Sequence, residues 1–271
     1  MGLVGPALGG VVFAIEELSR RLEQRSSGLM VAAIVVSGLV PVSVFGNLSY
    51  FGRVRIEVVS WWALWWPALL LAVLCGLLGG LMARLLLVSL TGLPDRISAW
   101  RQAHPVRFAA LCGWGVAVVG VVSGGDAVGG GHQHTQTLLR LEHWVHHTPG
   151  LYTGLKFVAS WWSAWSGVPG GIFAPALLLG ASLGMDVAWL TGAEAHQALI
   201  AMGMAAFLAA VIQTPLTAMI LVMEMTDGHS MVLSLMASAL VASLVSRMIS
   251  RPLYGTLAEQ MLKPWLPTRH P

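Results

Sequence analysis

The chain has 271 residues, with 15 basic and 12 acidic side chains, and its mean hydropathy is +0.75. Soluble domains carry roughly a quarter charged residues, so a charged fraction of 10% argues against an ordinary soluble domain. The basic residues are scattered, whereas a nucleic-acid partner requires a basic patch or stripe. Cys75 and Cys112 lie in apolar runs, which argues against a disulfide framework or a cysteine metal site.

Long apolar segments decide the class of protein. Six segments of at least 18 residues lack Asp, Glu, Lys and Arg, and about this length is needed for a helix to cross a bilayer core. They are 26–52, 58–83, 108–125, 157–185, 195–223 and 228–246. The sequence therefore predicts an all-α polytopic membrane protein that is embedded in a lipid bilayer.

Several of the predicted helices are too short to span the membrane. In chain order, the predicted helices cover 8–25, 28–45, 61–88, 106–122, 151–165, 172–190, 196–212, 215–226 and 230–250. Partial-depth helices are tolerated only where protein or a polar cavity satisfies the freed backbone groups. This pattern is typical of transporters with a binding site near the bilayer midplane.

Two segments of the chain share a weak pattern. In both 8–16 and 216–224 an apolar stretch begins with Leu and ends with Glu, and a proline stands just upstream. Such duplication is typical of transporters with inverted repeats, although chance similarity is an alternative. An apolar helix precedes the second copy, whereas only seven residues precede the first. The pattern therefore predicts that the chain begins inside a repeat.

The segment 166–175 reads Ser-Gly-Val-Pro-Gly-Gly-Ile-Phe-Ala-Pro and precedes a predicted apolar helix. Glycines allow a ligand to approach the backbone closely, and the first N–H groups of a helix have no intrahelical partners. Together with the helix dipole, these groups form an anion site without Lys or Arg. The alternative is a glycine and proline hinge between packed helices.

Four motifs lie in the order and spacing of a known family. They are Phe13-Ala-Ile-Glu-Glu17, Gly-Gly-Ile-Phe-Ala-Pro at 170–175, Pro215-Leu-Thr with Glu224-Met-Thr-Asp227, and Pro252-Leu-Tyr254. The chain resembles the CLC family of chloride channels and chloride/proton antiporters. This resemblance implies a CLC-type inverted-repeat fold of tilted and broken helices.

The resemblance covers nearly the whole chain but only the later portion of the family's domain. Two family segments that supply a serine ligand and an outer gating glutamate have no counterpart here. Residues 1–263 are therefore expected to form an incomplete CLC transmembrane domain, with a truncated first repeat and a nearly complete second one. A short cytoplasmic tail, 264–271, is expected to follow, with no regulatory domain.

The resemblance also implies which residues bind the anion and transfer the proton. The backbone at Gly171, Ile172 and Phe173 would bind the central anion, and the hydroxyl of Tyr254 would point at the same ion. Glu17 matches the inner proton-transfer glutamate of the antiporters. For Glu16 and Glu17 an ordinary helix salt bridge to the arginines four residues later is the alternative, and Glu224 is expected to cap or brace a helix.

The resemblance implies chloride/proton antiport across the cell membrane by a homodimer, in the inner membrane if the source is a Gram-negative bacterium. A passive, voltage-gated chloride channel and a non-transporting fragment are the two alternatives. We expect no enzymatic activity, no catalytic residue and no cofactor. The histidines between 132 and 147 lack acidic or Cys partners at a motif spacing, so a polar loop is expected there rather than a metal site.

Overall fold

The computed structural model describes residues 7–18, 33, 36–37, 51, 61–92, 96–125, 127, 129, 132–140, 150–168, 170–226 and 228–262. The helices within these residues are α1 (Ala7–Phe13), α2 (Trp61–Thr91), α3 (Arg96–Ala103), α4 (Pro105–Val122), α5 (His132–Arg140), α6 (Leu151–Trp165), α7 (Phe173–Thr191), α8 (His196–Ile212), α9 (Pro215–Thr226), α10 (Val232–Ile249) and α11 (Leu253–Leu262). A π-helical turn, Ala14–Leu18, continues α1. The described residues contain no strand, and the all-α fold class is confirmed.

Seven of the predicted helices match the observed ones to within about three residues, and the differences lie elsewhere. The first predicted helix, 8–25, is observed as α1 and its π-helical turn up to residue 18. All but three residues of the predicted helix 28–45 lie outside the described residues, as do 264–271. The polar loop expected after residue 131 is wrong, because His132–Arg140 forms α5. Leu138 and Leu139 of this helix are buried, which stabilises a segment that is polar in sequence.

Four helical segments are long and apolar enough to cross a membrane. They are Leu64–Thr91, Pro105–Val122, Phe173–Thr191 and His229–Ile249. The helices α8 and α9 are apolar but shorter. Among the described residues, full spans and shorter apolar helices therefore occur together, as the sequence predicts.

Helix α8 lies at the centre of the structure. It packs against α2, α7, α9 and α10, and every residue from Ala198 to Ile212 is buried. A helix that is apolar on all sides is expected to be surrounded by other helices. Two glycines allow the closest approach, because a Cβ on Gly203 of α8 would overlap the carbonyl oxygen of Gly180 in α7. Small residues at a crossing are the usual basis of tight helix packing in membranes.

The two copies of the repeated pattern brace each other. Glu16, at the end of the first copy, accepts hydrogen bonds from the backbone N–H of Leu216 (3.3 Å) and Thr217 (2.7 Å), in the first turn of α9. Glu224, at the end of the second copy, accepts one from the backbone N–H of Gly9 (3.0 Å) in α1. Gly9 and Thr217 occupy equivalent positions in the two copies. The shared pattern therefore forms a pair of reciprocal helix caps.

We expect loss of either cap to weaken the contact between α1 and α9. Replacing Glu16 by Ala removes the acceptor for two N–H groups, and losing a helix cap costs about 1 kcal/mol. Both Glu16→Ala and Glu224→Ala should therefore lower the thermal unfolding midpoint in detergent, and Glu16→Ala should lower it more because Glu16 accepts more hydrogen bonds. Glu194→Ala, at an exposed position, is the matched control and should leave the midpoint unchanged. Equal midpoints for all three variants would contradict the capping role.

Candidate anion and proton site

The segment between α6 and α7 leads into a helix start that lacks a side-chain cap. Ser166 ends α6, and Gly167 then adopts a positive φ of 84°, a conformation that favours glycine. Gly170 and Gly171 are exposed, and Ile172 is the N-terminal cap residue of α7. No side chain caps this helix start, and its first turn has no acidic residue. The positive end of the α7 dipole is therefore not neutralised by a carboxylate of its own helix.

The backbone donors at this helix start are few and point in one direction. The first intrahelical bond joins the Ala176 N–H to the Ile172 carbonyl at 3.1 Å. The N–H groups of Ile172, Phe173 and Ala174 precede that bond and have no acceptor within the helix, and Pro175 has no N–H. This geometry suits a small anion that approaches along the helix axis.

Three aromatic rings join this helix start to two distant parts of the chain. The ring of Phe13 lies 5.5 Å from the ring of Phe173 and 5.6 Å from the ring of Tyr254, and both contacts are edge-to-face. Edge-to-face pairs at this distance are favourable beyond their buried area. Phe13 thus holds the N-terminal motif, the start of α7 and the start of α11 together. The sequence motif contained Phe13 but indicated no role for it.

Glu17 lies near Tyr254, close enough to affect the ionisation of its phenol. It is four residues beyond Phe13, in the π-helical turn. Burial raises the pKa of the Tyr254 phenol, and the nearby carboxylate of Glu17 raises that pKa further. The phenol is therefore neutral at physiological pH and can donate a hydrogen bond without carrying charge. The structure thus places the rings of Phe173 and Tyr254 against Phe13 and the carboxylate of Glu17 near Tyr254. Ile172 and Gly171 adjoin Phe173 in the chain.

The other sequence candidates lie elsewhere. Glu16 accepts hydrogen bonds from the start of α9, and Arg20 and Arg21 lie outside the described residues.

The histidines after residue 131 are the other candidates. His134 stacks on Tyr152 with ring centroids 4.1 Å apart. Within the described part of the chain, no group of three or more His, Cys, Asp or Glu side chains is placed to hold a metal ion. His143, His146 and His147 lie outside the described residues.

Broken helices, an uncapped helix start and several membrane-length helices define a polytopic α-helical membrane protein. The family model for voltage gated chloride channels matches residues 5–247. The chain belongs to this family, which is the CLC family that the sequence motifs resemble.

The relatives and a solved structure agree with this assignment. The chain is similar to the H(+)/Cl(-) exchange transporter ClcA of Citrobacter koseri, with 39% identity in an alignment of length 105 that covers 36% of this chain and 22% of the relative. ClcA of Klebsiella pneumoniae is 40% identical over the same shares of the two chains. The crystal structure of a slow cyanobacterial Cl−/H+ antiporter has a TM-score of 0.74 at 24% identity. That match covers 95% of this chain and 61% of the antiporter, so the chain spans only part of the length of these proteins.

Proposed function

We propose that this chain takes part in chloride/proton antiport across a membrane. The observation that supports this function best is the uncapped start of α7, which Phe13 links to both Tyr254 and the neighbourhood of Glu17. Anion donors and a carboxylate that can bind a proton thus occur within one cluster. The relatives named as H(+)/Cl(-) exchange transporters support the same activity.

The proposed anion site uses backbone donors at Gly171, Ile172 and Phe173 together with the Tyr254 hydroxyl. These groups attract an anion through partial charges, whereas a fixed Arg at the site would hold it more tightly. Conduction requires binding that is favourable enough for entry and weak enough for release. A site made of backbone N–H groups and one neutral phenol meets this requirement.

Glu17 is the proposed proton-transfer group. A carboxylate at membrane depth costs about 2.5–3.5 kcal/mol on insertion scales, so it marks a functional position by default. The Glu17 carboxylate is close enough to Tyr254 to raise the pKa of that phenol, so the proposed proton group adjoins the proposed anion site.

The assembly and the domain limits are part of this proposal. We infer an incomplete CLC transmembrane domain over 1–263, a cytoplasmic tail over 264–271 and a location in the bacterial cell membrane. Helix α10 presents an exposed apolar stripe, Leu233, Leu240, Leu244 and Met248, which suits contact with lipid or with a second copy in a homodimer. Chloride and protons are the proposed transported ions, and neither enzymatic activity nor a cofactor is part of the proposal.

Flux measurements on the purified 271-residue chain test the proposed function. The chain is reconstituted into liposomes with a chloride gradient, and chloride and pH electrodes record both ions. Antiport predicts that chloride efflux drives proton uptake against a pH gradient. Chloride movement without proton movement would indicate the passive channel instead, and no flux of either ion would contradict transport by this chain.

Removing the Tyr254 hydroxyl is expected to weaken chloride binding. Tyr254→Phe keeps the ring that contacts Phe13 but loses one donor, and a hydrogen bond to a charged group contributes about 1.5–3 kcal/mol. We expect chloride affinity, measured by calorimetry in detergent, to fall roughly tenfold, which corresponds to about 1.4 kcal/mol. Tyr152→Phe, on α6, is the matched control and should bind chloride like the unaltered chain. Equal affinities for both variants would remove Tyr254 from the site.

A further inference from the structure

A cavity of about 820 Å³ adjoins the proposed anion site, and we call it the α6 cavity. Much of its wall is apolar and comes from α2, α4 and α8, for example Leu86, Val116 and Phe207. Its polar side chains come mainly from α6, which contributes Lys156, Ser160 and Ser163. A row of polar side chains in an otherwise apolar cavity favours a polar ligand.

Lys156 is the unusual member of this row. Its side chain is only 3% exposed, and its ammonium group donates hydrogen bonds to the carbonyl oxygens of Ala127 (2.9 Å) and Gly129 (2.6 Å). An ammonium group has three donors, and the third finds no acceptor among the described residues. Both acceptors are neutral, and no carboxylate of the described residues forms an ion pair with Lys156. The nearest acidic residue along the following chain, Asp186, accepts a hydrogen bond from Thr153 instead.

A buried cation without a counter-charge is costly, because the lost hydration is not offset by an opposite charge. Two carbonyl dipoles offset this cost only in part, so the remaining donor of Lys156 favours an anion in the cavity. The hydroxyl of Ser160, one turn further along α6, also has no hydrogen-bond partner among the described residues. In contrast, the hydroxyl of Ser163 is already committed to the Ala159 carbonyl at 2.8 Å.

The cavity connects these groups to the start of α7. Lys156, Ser160 and Ser163 are spaced by four and three residues and therefore share one face of α6. With a rise of 1.5 Å per residue, the line from Lys156 to Ser163 extends roughly 10 Å along the helix. The same cavity is lined by Gly170, Gly171 and Ile172 at its other end. One continuous space thus runs from the buried ammonium group to the backbone donors.

We propose that the Lys156 ammonium and the Ser160 hydroxyl form a second anion site, for a small monovalent anion such as chloride, in the α6 cavity. Its place on the route to Gly171–Phe173 rests on the proposed function, whereas anion binding at Lys156 does not. Among the described residues, one ammonium donor and one hydroxyl are available to the ion, so the site binds weakly enough to release its occupant toward the start of α7.

Chloride titration tests this site without any measurement of transport. The purified chain in a chloride-free buffer is titrated with potassium chloride in a calorimeter, and the stoichiometry and both affinities are fitted. The unaltered chain is expected to bind two chloride ions. Lys156→Met, which keeps most of the length of the side chain and removes its charge, should leave one. Ser160→Ala should weaken one of the two sites roughly tenfold, as expected for the loss of a hydrogen bond to a charged ligand.

Two further variants make the experiment specific. Ser163→Ala is the matched control, since its hydroxyl already bonds to Ala159, and it should retain both affinities. Lys156→Arg should retain two sites because it keeps the charge. Ser160→Ala leaves the contacts of Lys156 with Ala127 and Gly129 intact, so it tests the site even if Lys156→Met does not fold.

The outcomes separate this proposal from the proposed function. Two unchanged sites in both Lys156→Met and Ser160→Ala would contradict the proposed second site. Lys156 would then have only a structural role, through its hydrogen bonds to Ala127 and Gly129. A single site that disappears in Lys156→Met would support this inference and contradict the backbone site at α7. Absence of flux together with two chloride sites would contradict transport and leave the binding inference standing.

Discussion

Glu17→Gln is expected to abolish proton movement while chloride continues to cross the membrane. Glutamine keeps the shape of the side chain but cannot take up a proton at this position. A positioned acid–base group contributes roughly 100-fold or more to proton transfer, so proton flux should fall by at least that factor. The anion donors lie on the backbone of α7 and on Tyr254, and neither is altered by this substitution. Chloride and pH electrodes on the same liposomes measure both fluxes.

Glu194→Gln is the matched control for this prediction. It removes a carboxylate of the same kind from the exposed turn between α7 and α8 and should leave both fluxes unchanged. Coupled proton uptake that persists in Glu17→Gln would remove Glu17 from the proton route. Loss of both fluxes in a folded protein would instead assign Glu17 to the anion site or to the packing of the π-helical turn.

The helix start at the candidate site was predictable from local sequence. Glycines and prolines mark the break before α7, and the predicted start at residue 172 differs from the observed start at Phe173 by one residue. The repeated pattern was also visible, because each copy ends in a Glu at the same spacing from its Leu. Its physical meaning was not visible, since Glu16 and Glu224 cap each other's helices across about 200 residues of chain.

The remaining features depend on tertiary contacts. A polar segment such as His132–Arg140 folds as a helix because Leu138 and Leu139 find a buried surface, and no local signal predicts that surface. In the sequence Phe13 is one apolar residue among many, and only the structure shows that its ring contacts Phe173 and Tyr254. Lys156, in contrast, could have been identified from the sequence, because it is the only charged residue between Glu142 and Asp186. A lone charge in a membrane-embedded segment is a functional candidate by default.

The crossing of α7 and α8 connects the fold to the proposed anion site, and one methyl group should disturb both. A Cβ on Gly203 would overlap the carbonyl oxygen of Gly180, and backbone atoms cannot turn away as a flexible side chain can. Overpacking of this kind costs about 1–3 kcal/mol, so Gly203→Ala should lower the thermal unfolding midpoint. Since α7 must move away from α8, the helix start at Phe173 should shift as well, and chloride affinity should fall.

Gly154→Ala provides a control with the opposite sign. Gly154 lies in α6, and a Cβ at this position would meet no atom within 4 Å. In an open helical position, Ala is more favourable than Gly by roughly 0.5–1 kcal/mol, so this variant should unfold at the same or a higher temperature. Thermal unfolding and chloride titration in detergent measure both effects. The two substitutions add the same methyl group, so opposite changes in the unfolding midpoint would be due to the close packing of α7 on α8. A loss of chloride affinity in Gly203→Ala alone would show that this packing holds the anion site in place.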